Sequence, residues 1–294
     1  MIIKTRYISH LGSFLLLAFV VVGCSSNPKP QPTNIPRVND VGSMSLADQS
    51  ADSLFAIAVG FEKTGDVAQA LLFYGQATSK DTQHIPSWLG IARVLQSMGN
   101  LAGSRNALQD ALAYAPNNVD LLVSLASVEI LDDRASQAIV HLAPITDKKD
   151  YRISNILGVA AEMMGNGTVA KDYFTDALAY NNNAADVLSN ISLSFALSKD
   201  QITAVALLQD NLKRSDYREI ALEQLAVIYA LDGQVDAAMT IAVDLLGYDT
   251  AMNNFEFYDS LQYLPSMMQA RAIYTKRLSE EMRSIARRGK NAEN

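Results

Sequence analysis

The sequence predicts an all-α protein, a superhelix of about six helix-turn-helix repeats followed by a C-terminal capping helix region. Three observations carry that reading. Turn signals recur as Thr64-Gly65-Asp66, Met98-Gly99-Asn100, Asp132-Asp133-Arg134, Met164-Gly165-Asn166, Ser198-Lys199-Asp200 and Asp232-Gly233-Gln234, so their centres step by 34, 34, 32, 34 and 34 residues. Five residues beyond each centre sits a small side chain: Ala70, Ser104, Ala138, Ala170, Ala204 and Ala238. Helix breakers gather between the repeats, with Pro86, Pro116 and the Asn181–Asn183 run in or beside the connecting turns. A fixed period of this length marks stacked units, none of which buries its apolar face alone.

The repeats read as residues 51–84, 85–118, 119–150, 151–184, 185–218 and 219–247. Two antiparallel helices approach closely only where side chains are small, so Ala and Gly belong at positions 8, 20 and 27. Large residues at positions 4, 11 and 24 fill the space between. Repeat two offers Trp88, Ile91-Ala92, Gly99, Ser104, Leu108, Ala111 and Pro116; repeat four offers Leu157-Gly158, Gly165, Ala170, Phe174 and Ala177. Repeat one has Ile57-Ala58, Ala70, Tyr74 and Ala77, and repeat six has Leu225-Ala226, Tyr229 and Ala238. This pattern resembles the tetratricopeptide repeat. Gly65, Gly99, Gly165 and Gly233 can take positive φ at little cost and so end the first helix of each pair.

Two repeats depart from the pattern. Repeat three is two residues short and has Asp133 at its turn, while repeat five carries Ser192 at position 8, Lys199 at the turn and Asn211 at position 27. Beyond Leu246 the period lapses. Residues 253–288 read as one or two helices that cap the last repeat, broken or kinked at Pro265.

The N-terminus reads as a leader. Lys4 and Arg6 precede twelve uncharged residues, Leu11 to Val22, too few for a permanent span. Val21-Val22-Gly23-Cys24 resembles a bacterial lipobox, and Cys24 is the only cysteine. That resemblance implies cleavage of residues 1–23 and lipidation of Cys24. Ser25 in place of Asp favours outer-membrane sorting in a Gram-negative bacterium. The competing reading is a plain signal peptide with an incidental cysteine. A disulfide lacks its second cysteine, and no Cys/His cluster suggests zinc. Several acyl chains on one residue would anchor stably, at about 0.8 kcal/mol per buried methylene. Residues 24–50 then form a lipidated tether, with four of the eight prolines between Ser25 and Ser45.

The chain carries 24 basic and 31 acidic residues, a net charge of −7. Loss of Lys4 and Arg6 with the leader makes it −9, of which residues 271–294 contribute +4 and residues 24–270 contribute −13. So acidic a body argues against a nucleic-acid partner. The basic tail has two readings, a solvated helix whose cations suit the helix dipole or a contact for an acidic partner or lipid surface. Nothing suggests catalysis. His84 and His141 lie in different repeats, Asp132-Asp133 sits at a turn, and no metal, phosphate-loop or nucleophile motif is present. No enzyme, cofactor or small-molecule substrate is expected.

Function then falls to the concave groove that the tetratricopeptide resemblance implies. Its positions 5, 6 and 9 map to Phe55, Ala56 and Val59; Leu89, Gly90 and Arg93; Val123, Ser124 and Ser127; Asn155, Ile156 and Val159; Ser189, Asn190 and Leu193; and Glu223, Gln224 and Val227. Arg93, Asn155, Asn190 and Gln224 are the candidate partner contacts, because side-chain amides both donate to and accept from a peptide. The alternative is that they are merely solvated. Trp88 is read as packing. A closer resemblance lies in residues 151–247, where ISNILGVAAEMMGNGTVAKDYFTDALAY, VLSNISLSFALSKDQITAVALLQ and EQLAVIYALDGQVDAA are similar to the TadD family of tight-adherence (Flp) pilus lipoproteins. It implies a periplasm-facing outer-membrane lipoprotein that helps assemble or place a pilus secretion apparatus, with the secretin as its protein partner. A type IVa pilus pilotin, an outer-membrane protein assembly subunit, and an adaptor for a cell-wall hydrolase or protease are the alternatives.

Overall fold

A computed structural model describes residues 49–213 and 217–293. The leader, Cys24 and the Pro-rich tether lie outside the described residues, so the lipidation reading is not addressed by the fold. Among the described residues there is no strand, and no helix is long and apolar enough to cross a membrane. The chain divides into two compact units, with the boundary between Ala161 and Glu162.

The first unit holds α1 (Ala51–Lys63), α2 (Val67–Lys80), α3 (Ile85–Ser97), α4 (Leu101–Tyr114), α5 (Val119–Leu131), α6 (Ala135–Leu142), a 3-10 turn (Ala143–Ile145) and most of α7 (Tyr151–Met163). The second holds the end of α7, α8 (Gly167–Tyr180), α9 (Ala185–Leu197), α10 (Gln201–Lys213), α11 (Arg218–Leu231), α12 (Val235–Leu246), α13 (Tyr248–Asn253), α14 (Phe255–Leu261), α15 (Ser266–Thr275) and α16 (Glu280–Glu293). Successive repeat helices pack on one another, from α1 on α2 through α5 on α6 in the first unit and from α8 on α9 through α11 on α12 in the second.

The close approach of paired helices rests on small side chains. Ala70, Ser104, Ala138, Ala170, Ala204 and Ala238 are all 0% exposed. Opposite them Ala58, Ala92, Ala126, Ser192 and Ala226 are buried too. Where one of the two is serine, its hydroxyl donates across the gap to the facing backbone: Ser104 Oγ to Ala92 O at 2.9 Å in repeat two, and Ser192 Oγ to Ala204 O in repeat five. A buried hydroxyl is thereby satisfied without separating the helices. Position 24 fills the remaining core with Tyr74, Leu108, Leu142, Phe174, Leu208 and Ala242, each fully or almost fully buried. Burying a large apolar side chain contributes about 1.5–3 kcal/mol.

All six repeat turns share one backbone conformation. Gly65, Gly99, Gly165 and Gly233 have φ of 80°, 74°, 81° and 76°, while Asp133 and Lys199 adopt 61° and 66° at the equivalent places. The residue after the turn caps the second helix in several repeats, as Asp66 accepts from Gln69 N at 3.2 Å and Asn100 from Gly103 N at 2.9 Å.

The departures have physical explanations. In repeat three, α6 stops after eight residues because Pro144 follows; the 3-10 turn then delivers Ile145, 1% exposed, to the place that alanine holds elsewhere. In repeat five, Asn211 is 0% exposed and its Nδ2 donates to Ala185 O at 3.2 Å. Residues 253–288 hold three helices, α14, α15 and α16, where one or two are expected. Pro265 makes the expected break between α14 and α15, and Lys276 (φ 56°) ends α15; before them Gly247 (φ 79°) ends α12 and the short α13 follows.

Two substitutions test this account. A non-glycine left-handed residue costs roughly 1–2 kcal/mol, against about 0.5–1 kcal/mol for the extra unfolded-state freedom of glycine. Lys199→Gly is therefore expected to stabilise the chain by about 0.5 kcal/mol in urea unfolding, and a loss of stability would contradict the turn assignment. Ala204→Leu is expected to cost at least about 1–3 kcal/mol through overpacking.

Candidate functional site

The groove positions fall into two groups with different surroundings. On α1, α3 and α5, Ala56 is exposed, Phe55, Val59, Leu89, Ser124 and Ser127 are half-buried, and Gly90 and Val123 are buried. Gly90 is a packing position, since a Cβ there would stand 2.6 Å from the Tyr74 ring. Phe55 contacts the rings of Tyr74 and His84 at 5.7 and 5.5 Å. Its edge is thus set by the following helix.

Arg93 is the one candidate contact whose side chain is largely in solvent, 56% exposed, and it is already engaged. Its Nε and Nη2 donate to Glu62 at 2.6 and 2.7 Å, and Tyr74 donates its hydroxyl to the same carboxylate at 2.6 Å. Burial alone would raise the Glu62 carboxyl, but the hydrogen bonds from Arg93 and Tyr74 outweigh it and hold the group below its ordinary range. Burial and then the Glu62 carboxylate push the Tyr74 phenol up. A charged, bidentate lock therefore joins α1, α2 and α3 at the open face.

Asn155, Asn190 and Gln224 are not a solvated amide stripe. They are 7%, 1% and 1% exposed, which corrects their reading as ready contacts for an incoming peptide. Their neighbours Ile156, Val159, Ser189, Leu193 and Val227 are buried as well. In the second unit the reason is visible: α15 packs on α9, and α14 packs on α11 and α12. Ser266 Oγ donates to Leu197 O at 3.2 Å, Met267 lies over Gly165, and Gln262 reaches Gly233. The capping region thus packs on α9, α11 and α12, two of which carry groove positions of the repeat pattern.

Charged groups are partly withdrawn from water in this unit, with Glu223 and Lys276 half-buried and Glu162 buried. Burial raises the Glu223 carboxyl to about 6, with Lys276 opposing and Glu219 adding to the effect. Burial lowers the Lys276 amine to about 7 against the pull of Glu223. Tyr258, next to Glu223, is raised to about 12, chiefly by burial. Burial also raises Glu162, although Ser194 Oγ donates to its carboxylate.

The other titratable candidates serve the frame. His84 bridges Ser87 Oγ at 2.7 Å and Asp52 at 3.1 Å. In repeat three, Glu129, 1% exposed, receives Arg105 at 2.9 Å, with Arg134 at 3.3 Å and His141 at 3.4 Å; Arg105 also reaches Asp132 at 2.6 Å. Asp133 occupies the left-handed turn. Trp88 packs against the Leu108–Leu121–Leu125 cluster and donates Nε1 to Thr82 O at 2.9 Å. Among the described residues no group of three or more His, Cys, Asp and Glu is placed to hold a metal.

No protein-family model and no curated protein matches the chain. Solved structures do. A chain of the APC/C hetero-tetramer Cut9–Hcn1 is similar at a TM-score of 0.59 and 16% identity, over 71% of this chain and 43% of that one. This chain thus spans less than half the length of that relative. PilW, a widely conserved type IV pilus biogenesis factor, gives 0.54 and 15%, over 70% of this chain and 96% of its own. PilF of Pseudomonas aeruginosa gives 0.51 and 17%, with the same coverages. These likenesses concern the fold, and with the six helix pairs they define it: the chain has the tetratricopeptide-repeat fold.

The Glu223–Lys276 pair gives a pH prediction. The folded state holds the Glu223 proton more tightly than the ordinary value of 4.5, so that contribution to stability is lost as pH rises through about 6. It holds the Lys276 proton less tightly than the ordinary 10.5, so that contribution is present at high pH and lost as pH falls through about 7. Between these values both groups are charged and both burials oppose folding. Raising the pH from 7 to about 9 is expected to raise the thermal midpoint more in the native chain than in Lys276→Met. Equal shifts in the two would contradict the buried-amine assignment.

Proposed function

We propose that this chain is a lipid-anchored, non-enzymatic scaffold that faces the periplasm from the outer membrane and serves assembly of a tight-adherence (Flp) pilus. Its client is a protein of the pilus secretion machine, the secretin first among candidates. The observation that carries the proposal is a lipobox-like VVGC leader joined by a Pro-rich tether to a tetratricopeptide-repeat body. The resemblance of residues 151–247 to the Flp-pilus lipoproteins supports the particular system. The fold shared with PilW and PilF supports a pilus-related role and favours a type IVa pilotin as the second reading.

Several acyl chains on Cys24 would supply location, and the repeats would supply a binding surface. The open groove positions on α1, α3 and α5, with Phe55, Ala56, Val59 and Leu89 beside the Arg93–Glu62 lock, are the proposed contact face. Half-buried apolar side chains next to a polar rim are the usual make-up of such surfaces.

Cys24→Ala is expected to release the chain from the membrane fraction, lower secretin multimers in the outer membrane and abolish piliation. Normal secretin assembly and piliation in that strain would refute the role. Loss of type IVa pili with intact Flp pili would select the second reading.

A further inference from the structure

Asn166-Gly167 is the only Asn-Gly pair in the chain. It closes the turn between α7 and α8, where Gly165 takes its positive φ of 81° and Asn166 stands at the N-cap of α8. Equivalent places in other repeats fasten both the side chain and the next backbone N–H. Asn100 accepts from Gly103 N at 2.9 Å, and the following Leu101 N donates to Gly99 O at 3.0 Å. Asp66 accepts from Gln69 N at 3.2 Å, and Val67 N donates to Gly65 O at 3.0 Å. Asn166 makes no such capping bond, and it is exposed. Among the described residues the Gly167 N–H has no hydrogen-bond acceptor either. Gly167 also carries no Cβ to shield that nitrogen. An exposed carboxamide thus stands next to an unengaged and unshielded backbone nitrogen.

We infer that Asn166 is a site of spontaneous covalent modification, deamidation through a cyclic imide, and that the fold leaves this site open. The Gly167 nitrogen, on losing its proton to solvent base, attacks Asn166 Cγ. A Cγ–N bond forms, the Cγ–Nδ2 bond breaks, and Nδ2 takes a proton from solvent and leaves as ammonia. Water then opens the imide ring at either carbonyl. Opening at Cγ restores the ordinary backbone with aspartate at position 166. Opening at the backbone carbonyl leaves isoaspartate, with the chain routed through Cγ. The net change is one water taken up and one ammonia released, with no redox step. The two products differ in consequence. Aspartate matches Asp66 and Asp200, which accept from Gln69 N at 3.2 Å and Thr203 N at 3.1 Å, and its charge suits a helix N-terminus. Isoaspartate lengthens the backbone by a methylene and disturbs the turn that Gly165 sets. This goes beyond the proposed pilus role and is tested on purified protein without reference to pili.

The test is peptide mapping by mass spectrometry on the folded full chain, held in mildly alkaline buffer and sampled over weeks. The mass gain that marks deamidation is expected at residue 166 at least about tenfold faster than at Asn100, the same turn position with a side chain on its neighbour. It is expected as two separable products, aspartate and isoaspartate. The folded chain is expected to convert within about tenfold of its rate in urea, because helix ends open at little cost. A Cβ at Gly167 would meet Glu162 Oε1 at 3.5 Å, an ordinary contact, so Gly167→Ala is expected to fold. That variant is expected to slow conversion at residue 166 about tenfold or more. Equal rates at residues 166 and 100 in the native chain would overturn the inference, as would a Gly167→Ala chain that converts as fast as the native one. Conversion in urea with none in the folded chain would show that the fold protects the pair, and would overturn it equally.

Discussion

Everything in this structure depends on how closely two helices can lie at the crossing of positions 8 and 20. Six repeats place a fully buried Ala or Ser at position 20, and the facing residue is as small. One extra methylene there would push the helices apart and loosen the position-24 side chains, Tyr74, Phe174 and their equivalents, from the core. The two serine repeats show how narrow the tolerance is. Ser104 and Ser192 sit on opposite helices of their pairs, yet each solves the same problem by donating to the backbone twelve residues away. The left-handed turn is the second half of this constraint. It reverses the chain in three residues, and it is kept even where Asp133 or Lys199 must adopt it at a cost.

From that frame follows what the surface can do. Every pair shares the left-handed turn, and the fate of each first helix's outer face depends on what packs against it. On α1, α3 and α5 the face keeps exposed and half-buried positions around the Arg93–Glu62–Tyr74 lock. On α9 and α11 the groove positions other than Glu223 are buried, and the chain's own C-terminal helices pack on both helices. In the second unit Glu162, Asn190 and Gln224 are buried, and Glu223 and Lys276 are half-buried with shifted proton affinities.

Much of the fold was legible in the sequence because it is written in local, repeated terms. A small residue five places after each turn is a packing requirement that any single repeat displays. Even the departures at Asp133 and Lys199 kept register and so betrayed the turn. The candidate contacts were less legible. Asn155, Asn190 and Gln224 look like solvent-facing amides, because polarity alone does not say that packing between elements will bury them. The division of residues 253–288 into three helices was also hidden, since that region has no period to align; only Pro265 marked a break. Asn211 looked like a defect in its repeat until its hydrogen bond to Ala185 O gave it a partner. Each miss concerns a long-range contact, and each success a short-range rule.

The central claim is that equivalent faces of one repeat scaffold have different occupants. Site-specific photo-crosslinking in living cells tests it most directly, with a benzophenone side chain placed at exposed Ala56 in one strain and at Glu223 in another. The account predicts an adduct with a different protein from position 56, and from position 223 an internal link to residues 248–293. An adduct with another protein from position 223, with none from position 56, would contradict it.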